Sequence, residues 1–231
     1  MNDQVTTLGH SAGYGISQEQ RHKVLRNTYW LLALSMIPTV LGAWVGVATG
    51  ITQSLRGGVG LMVFLGGAFA FMFAIEKTKR SAAGVPVLLA FTFFMGLMLS
   101  RLIGLVLGFK NGTDLVMTAF AGTAGVFFVM ASLASVIKRD LSGMGKWLFV
   151  GALVLMAGGV LNVFFGTTGT TLAIAVAAMG IFSAYMLYDL KQILDGGETN
   201  YISATLALYL DIFNVFQSLL AILGIMGGER D

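Results

Sequence analysis

Seven apolar runs, each near the ~20 residues needed to cross a bilayer as a helix, take up most of this 231-residue chain. They cover residues 29–47, 59–75, 85–107, 115–137, 147–165, 172–190 and 202–223. Within hydrocarbon each backbone amide must find its partner inside the protein, so a spanning chain is either helical or a closed barrel. No run alternates apolar and polar residues as a barrel strand does, and the connections are short. The predicted fold is therefore all-α: a polytopic membrane protein of seven transmembrane helices. A polar N-terminal tail at 1–26 precedes a single membrane domain at 27–231.

Composition agrees. Hydrophobic residues make up 56% and charged residues 11%, where a soluble domain carries about a quarter charged. The net charge of +3 comes from small basic clusters between the runs, which is not the pattern of a nucleic-acid surface. There is no cysteine, so disulfides, thiolate metal sites and cysteine nucleophiles are excluded. His10 and His22 both precede the first run, leaving no imidazole within a span to ligate a metal or act as a base.

Residues 1–20 are polar and lack the basic start and apolar core of a secretory signal; they read as a disordered tail. Arg21, Lys23 and Arg26 then form a basic collar. With Lys77, Lys79, Arg80, Lys138, Arg139, Lys146 and Lys191 they place ten basic residues on one side, against Arg56, Lys110 and Arg230 on the other. The positive-inside rule puts the N-terminus in the cytoplasm and the C-terminus outside. Tyr29, Trp30, Trp44 and Trp147 stand near run ends, where interfacial aromatics gather. Pro38 is expected to kink the first helix, whereas Pro86 falls in the first turn of the third. Gly42, Gly46 and Gly50, and likewise Gly104 and Gly108, repeat every fourth residue. Such spacing lets helices approach closely, here for packing within the bundle rather than dimerisation. Arg101 lies near the outer end of the third run and is expected to snorkel to the interface.

Two carboxylates break the last two runs, Asp189 and Asp211, with only the polar turn at 195–200 between the helices. An unpaired charge at mid-membrane costs about 2.5–3.5 kcal/mol on insertion scales and more by other methods, so each aspartate is the natural partner of the other. At 1.5 Å per residue Asp189 lies ~8 Å and Asp211 ~16 Å from the turn. Side chains lean toward their own helix N-terminus, which narrows that gap. Two carboxyls in contact at low dielectric cannot both ionise cheaply and titrate as a unit. Sharing one proton, they clamp helix six to helix seven; without it they repel or take a cation. Oxygen ligands alone favour Ca²⁺ over a transition metal, so Asp189 and Asp211 are the candidate proton and cation gate. The alternative is that Asp189 faces water while Asp211 bonds neighbouring hydroxyls and amides, helped by the polar stripe of Asn214 and Ser218.

Three separated stretches carry a family resemblance: Leu187-Tyr188-Asp189-Leu190, Leu208-Tyr209-Leu210-Asp211 with Asn214, and Asn162-Val163-Phe164-Phe165. The chain resembles the Bax inhibitor-1 (transmembrane BAX inhibitor motif) family throughout its spanning region. Gly196-Gly197-Glu198-Thr199-Asn200 and the stretch from His22 to Tyr29 look closest to the bacterial YccA type. The resemblance implies a bacterial inner-membrane protein whose last helix is central and surrounded by the others. It also implies a pH-dependent Ca²⁺ leak governed by Asp189 and Asp211. YccA-type members are linked to modulation of the membrane protease FtsH, with the cytoplasmic tail as handle. Channel-like members place an acidic residue in helix two and an arginine at its cytoplasmic end. Here helix two has Gly66-Gly67 and ends Glu76-Lys77-Thr78-Lys79-Arg80, so Lys77, Lys79 and Arg80 are the candidate counter-charges.

The expected function is thus a cation leak, or alternatively restraint of an FtsH-type protease, and not an enzyme. Tyr188-Asp189 echoes one presenilin-type motif, but Asp211 follows Leu208-Tyr209-Leu210 rather than the Gly-x-Gly of the second.

Overall fold

A computed structural model describes residues 17–55 and 57–228; the expected tail up to residue 16, together with Arg56 and Arg230, lies outside the described residues. Seven helices are long and apolar enough to cross a membrane. They are α1 (Gln18–Thr49), α2 (Gly57–Thr78), α3 (Gly84–Leu107), α4 (Gly112–Val136), α5 (Met144–Phe165), α6 (Thr168–Asp195) and α7 (Tyr201–Gly227), with a short 3-10 turn, Ile51–Ser54, between the first two. Each contains one of the seven apolar runs. The described residues include no strand.

α1 begins at Gln18, well before residue 27, because Ser17 and Gln20 form a capping box: the Ser17 hydroxyl accepts from the Gln20 amide and the Gln20 side chain accepts from the Ser17 amide. At 1.5 Å per residue this 32-residue helix runs ~48 Å, against a hydrocarbon layer of ~30 Å. Its first turns, with Arg21, His22, Lys23 and Arg26, therefore stand clear of the apolar layer as a helical collar. Pro38 lies inside α1, which continues through it to Thr49.

Glycine permits the close crossing of α1 with α3. A Cβ on Gly42 would run into the Phe93 carbonyl, one on Gly46 into the Ser100 side chain, and one on Gly96 into the Thr39 carbonyl. The Gly42 and Gly46 pattern thus packs inside the bundle. Gly104 does not: nothing lies within 4 Å of a Cβ built there, and Gly108 caps α3.

α7 packs against α1, α2, α3, α4 and α6. Its Leu208, Tyr209, Phe213 and Val215 join Leu88, Phe91 and Met95 of α3 and Met186, Leu190 and Ile193 of α6 in the main core. The Tyr209 hydroxyl spans three helices, reaching Thr39 Oγ1 at 2.9 Å and donating to the Thr92 carbonyl at 3.3 Å. The outer surface is apolar, as lipid requires. Trp30, Trp44 and Trp147 are 74%, 67% and 80% exposed on that surface.

Candidate functional site

The turn joining α6 to α7 is built residue by residue from polar groups. α6 ends where Gly196 enters the left-handed region at φ 84°, which a side chain would resist. The amides of Gly197 and Glu198 donate to the Gln192 carbonyl, at 2.8 and 3.3 Å. Glu198 Oε1 accepts from the Thr199 and Asn200 amides at 2.8 and 2.7 Å. Asn200 caps α7, its Oδ1 accepting from the Ile202 and Ser203 amides, while its Nδ2 donates to the Lys79 carbonyl at 2.9 Å. Five residues, 196–200, thus fix how α6 and α7 face one another and tie both to the end of α2.

Inside this hairpin the carboxyl groups of Asp189 and Asp211 come within hydrogen-bonding range of each other. Asp189 stands six residues before the end of α6 and Asp211 ten residues into α7, ~9 Å and ~15 Å along the helices. Their collar is apolar. Met186 and Ile193 share a face with Asp189, and Leu208 and Val215 with Asp211; all four are essentially inaccessible. Asp211 is itself only 4% exposed. Its Oδ2 is buried and receives no hydrogen bond from an amide, hydroxyl or ammonium group among the described residues. Glu198 adds a third negative charge within electrostatic reach of Asp189, and Tyr185, one turn earlier on α6, lies near both aspartates.

The other candidate residues are placed elsewhere. Asn214 donates to the Leu210 carbonyl of its own helix at 2.7 Å, and Ser218 is buried; neither is hydrogen-bonded to Asp211. Lys79 pairs with Glu76 at 2.7 Å, Lys77 lies over the Phe73 ring, and Arg80 is exposed. Among the described residues no lysine or arginine forms an ion pair with either aspartate, so the three counter-charge candidates are not assembled with the pair. The reason is local: one turn back from Lys79 on α2, Glu76 is a closer carboxylate than any in the hairpin. Arg101 does reach for the helix end, donating from Nη1 to the Leu55 carbonyl at 3.2 Å.

At the basic end of α6 an open cleft of about 400 Å³ is lined by Arg21, Asp140, Ser142, Lys191, Asp195 and the turn backbone. Lys191 pairs with Asp195 at 2.7 Å. The Asp140 carboxyl is held below the usual carboxylate range, chiefly by the Ser142 amide and then by its hydroxyl, at 2.8 and 2.9 Å. Among the described residues no three His, Cys, Asp or Glu side chains cluster closely enough to hold a metal.

Two features escaped the sequence reading. Asn162, noted only as part of a motif, ties the end of α5 to the start of α6, its Oδ1 accepting from Thr170 at 2.8 Å and its Nδ2 donating to Thr171 at 2.9 Å. Asn200 was legible as a cap, being an asparagine just before an apolar run; its second bond, to α2, was not.

The profile of the family described as "Inhibitor of apoptosis-promoting Bax1" matches residues 21–228. The chain is 37% identical to the Escherichia coli K12 protein named "Modulator of FtsH protease YccA", over 88% of this chain and 90% of that one. The same figures hold for "Inner membrane protein YccA" of Escherichia coli O6:H1. A Vibrio cholerae protein named as an uncharacterized membrane protein is 34% identical over 91% of this chain and 92% of its own length. These names describe a modulator and membrane proteins, not enzymes. The inner-membrane location expected of the chain agrees with them and with the seven spans.

Proposed function

The chain belongs to the Bax inhibitor-1 family, and from that premise we propose that it is a proton-operated cation leak whose gate is the Asp189–Asp211 pair. One observation carries this reading: two carboxyls on adjoining helices face each other in an apolar collar, and one oxygen of Asp211 has no donor among the described residues.

The chemistry follows from charge. A hydrogen bond between two carboxyls needs a proton on one of them. With that proton in place the pair clamps α6 to α7 and closes the hairpin. When it leaves, two negative charges face each other at low dielectric and either separate or admit a cation. Calcium takes about 6–8 oxygen ligands, and two carboxylates supply at most four, the rest coming from water. So incomplete a shell suits an ion in transit rather than one held in place. Calcium is therefore cargo in this account. The experiment is Ca²⁺ uptake into indicator-loaded liposomes as a function of pH: wild type conducts more as pH rises, and Asp211→Asn loses that dependence. Equal, pH-insensitive flux for both would overturn the reading.

A second reading is that the chain restrains an FtsH-type protease in the same membrane. The name of the 37% identical Escherichia coli relative, a modulator of FtsH protease, favours it. Co-purification of the protease with the full chain, lost when residues 1–16 are removed, supports it and the tail's role as handle; no co-purification refutes it.

A further inference from the structure

We propose that a groove between α2, α3, α5 and α7, opening toward the end of the bundle away from the α6–α7 turn, holds an acyl chain of one anionic phospholipid, with Arg101 clamping its headgroup. The cavity is about 360 Å³, in the lower part of the ~300–1,000 Å³ range of small-ligand sites. Its walls are Leu61 and Phe64 of α2 and Met98, Leu102 and Leu105 of α3, with Phe213 of α7 as the floor. Gly57 to Phe64 on α2 and Met98 to Leu105 on α3 both line it, a length of ~10 Å along each helix. That is the shape of a slot parallel to the helices, as a lipid tail lies.

The slot is open to the membrane for a structural reason. α5 is loosely attached, with Leu148 its one buried residue among those described. Gln217 is consequently exposed, although Phe213 and Val215 of the same helix belong to the main core. A tail entering from the side would displace disordered lipid and not water, so its apolar contacts alone would select little. The selection lies at the rim.

Three lining residues there carry polar groups. Thr52 is engaged, its hydroxyl 2.8 Å from that of Ser100. Gln217 presents a neutral amide. Arg101 is exposed, and Leu55 is its only hydrogen-bond partner among the described residues. A guanidinium has five N–H donors in a rigid fork, so one bond to Leu55 orients it and leaves donors for a ligand. The Leu55 carbonyl lies just before α2 begins at Gly57, which sets the guanidinium at the helix ends, where phosphates of the bilayer lie. A planar cation at that level, over an apolar slot, matches a phosphodiester bearing net negative charge.

The test is native mass spectrometry of the full chain in mild detergent, titrated with phosphatidylglycerol or phosphatidylcholine of the same acyl length. Wild type should retain one phosphatidylglycerol at activation energies that strip phosphatidylcholine, with a preference of about tenfold, the size of one charge-assisted bidentate contact. Arg101→Gln should reduce phosphatidylglycerol to the phosphatidylcholine level. Leu105→Trp, which fills the slot from an exposed position and spares the cation, should weaken both lipids. Arg139→Gln, on a different connection, should change neither. Equal retention of the two lipids by wild type, or an undiminished preference in Arg101→Gln, would overturn the proposal. Both groove substitutions sit at exposed positions, and unchanged unfolding in SDS shows that the variants remain folded.

Discussion

Replacing Gly96 with alanine should destabilise the bundle, whereas the same change at Gly104, on the same helix, should not. A Cβ on Gly96 would lie 2.7 Å from the carbonyl carbon and 2.9 Å from the Cα of Thr39, and all of these are backbone atoms that cannot rotate aside. Ordinary contact begins at 3.4 Å, so α1 and α3 must part by roughly 1 Å, a gap that forfeits a quarter to a half of each dispersion contact across it. The same motion draws Thr39 from the Tyr209 hydroxyl. Both substitutions gain the same ~0.5–1 kcal/mol of helix propensity from glycine to alanine, and that term cancels in the comparison. The difference between the two variants is then the overpacking cost alone, about 1–3 kcal/mol. Reversible unfolding in SDS, followed by tryptophan fluorescence, measures it. Equal stabilities for the two variants would refute the close α1–α3 crossing as a determinant of this fold.

Tyr209→Phe removes the hydroxyl that joins α7 to α1 and α3, and should cost about 0.6 kcal/mol, the average for a hydrogen bond between membrane helices, and at most about 1.7 kcal/mol in the same unfolding assay; no change would mean that the three-helix node is idle. Asn200→Ala deletes the α7 cap and its bond to α2, so the Ile202 and Ser203 amides should exchange with deuterium about five- to thirtyfold faster, as expected for the loss of ~1–2 kcal/mol. Unchanged exchange there would contradict the capping geometry. For Asp140, held below the carboxylate range by Ser142, the bonds are fully present above the unfolded value of about 3.9 and are lost as pH falls through the lower folded value. The Ser142 amide shift should therefore titrate with a midpoint below 3.9, and a midpoint at or above it would show that the two bonds are not made in solution.

Much of this was legible because lipid simplifies the grammar of a sequence. Each of the seven runs had to be one helix, and the short link at 195–200 forced Asp189 and Asp211 onto neighbouring ones. What stayed hidden was geometry that depends on rotation about helix axes. Gly42 and Gly104 carry the same four-residue spacing, yet only the first faces another helix, because spacing marks a small-residue face without saying where it points. The counter-charge candidates illustrate the same limit. Lys77, Lys79 and Arg80 lie at the correct end, but Glu76 is an i,i+3 neighbour of Lys79 and takes it locally, while nothing draws the other two inward. The start of α1 is legible in Ser17-x-x-Gln20, a capping box whose signal is local and independent of the polarity of the stretch that holds it.

A proton-operated gate requires that Asp189 and Asp211 hold one proton between them. Infrared difference spectra of the reconstituted protein across a pH titration read this directly, through the carbonyl band of a protonated carboxylic acid. Wild type should show one such band that disappears in a single step as pH rises, and Asp189→Asn and Asp211→Asn should each abolish or displace it. A band that persists unchanged when either aspartate is replaced would mean that the two groups titrate independently, and the latch would have no mechanism.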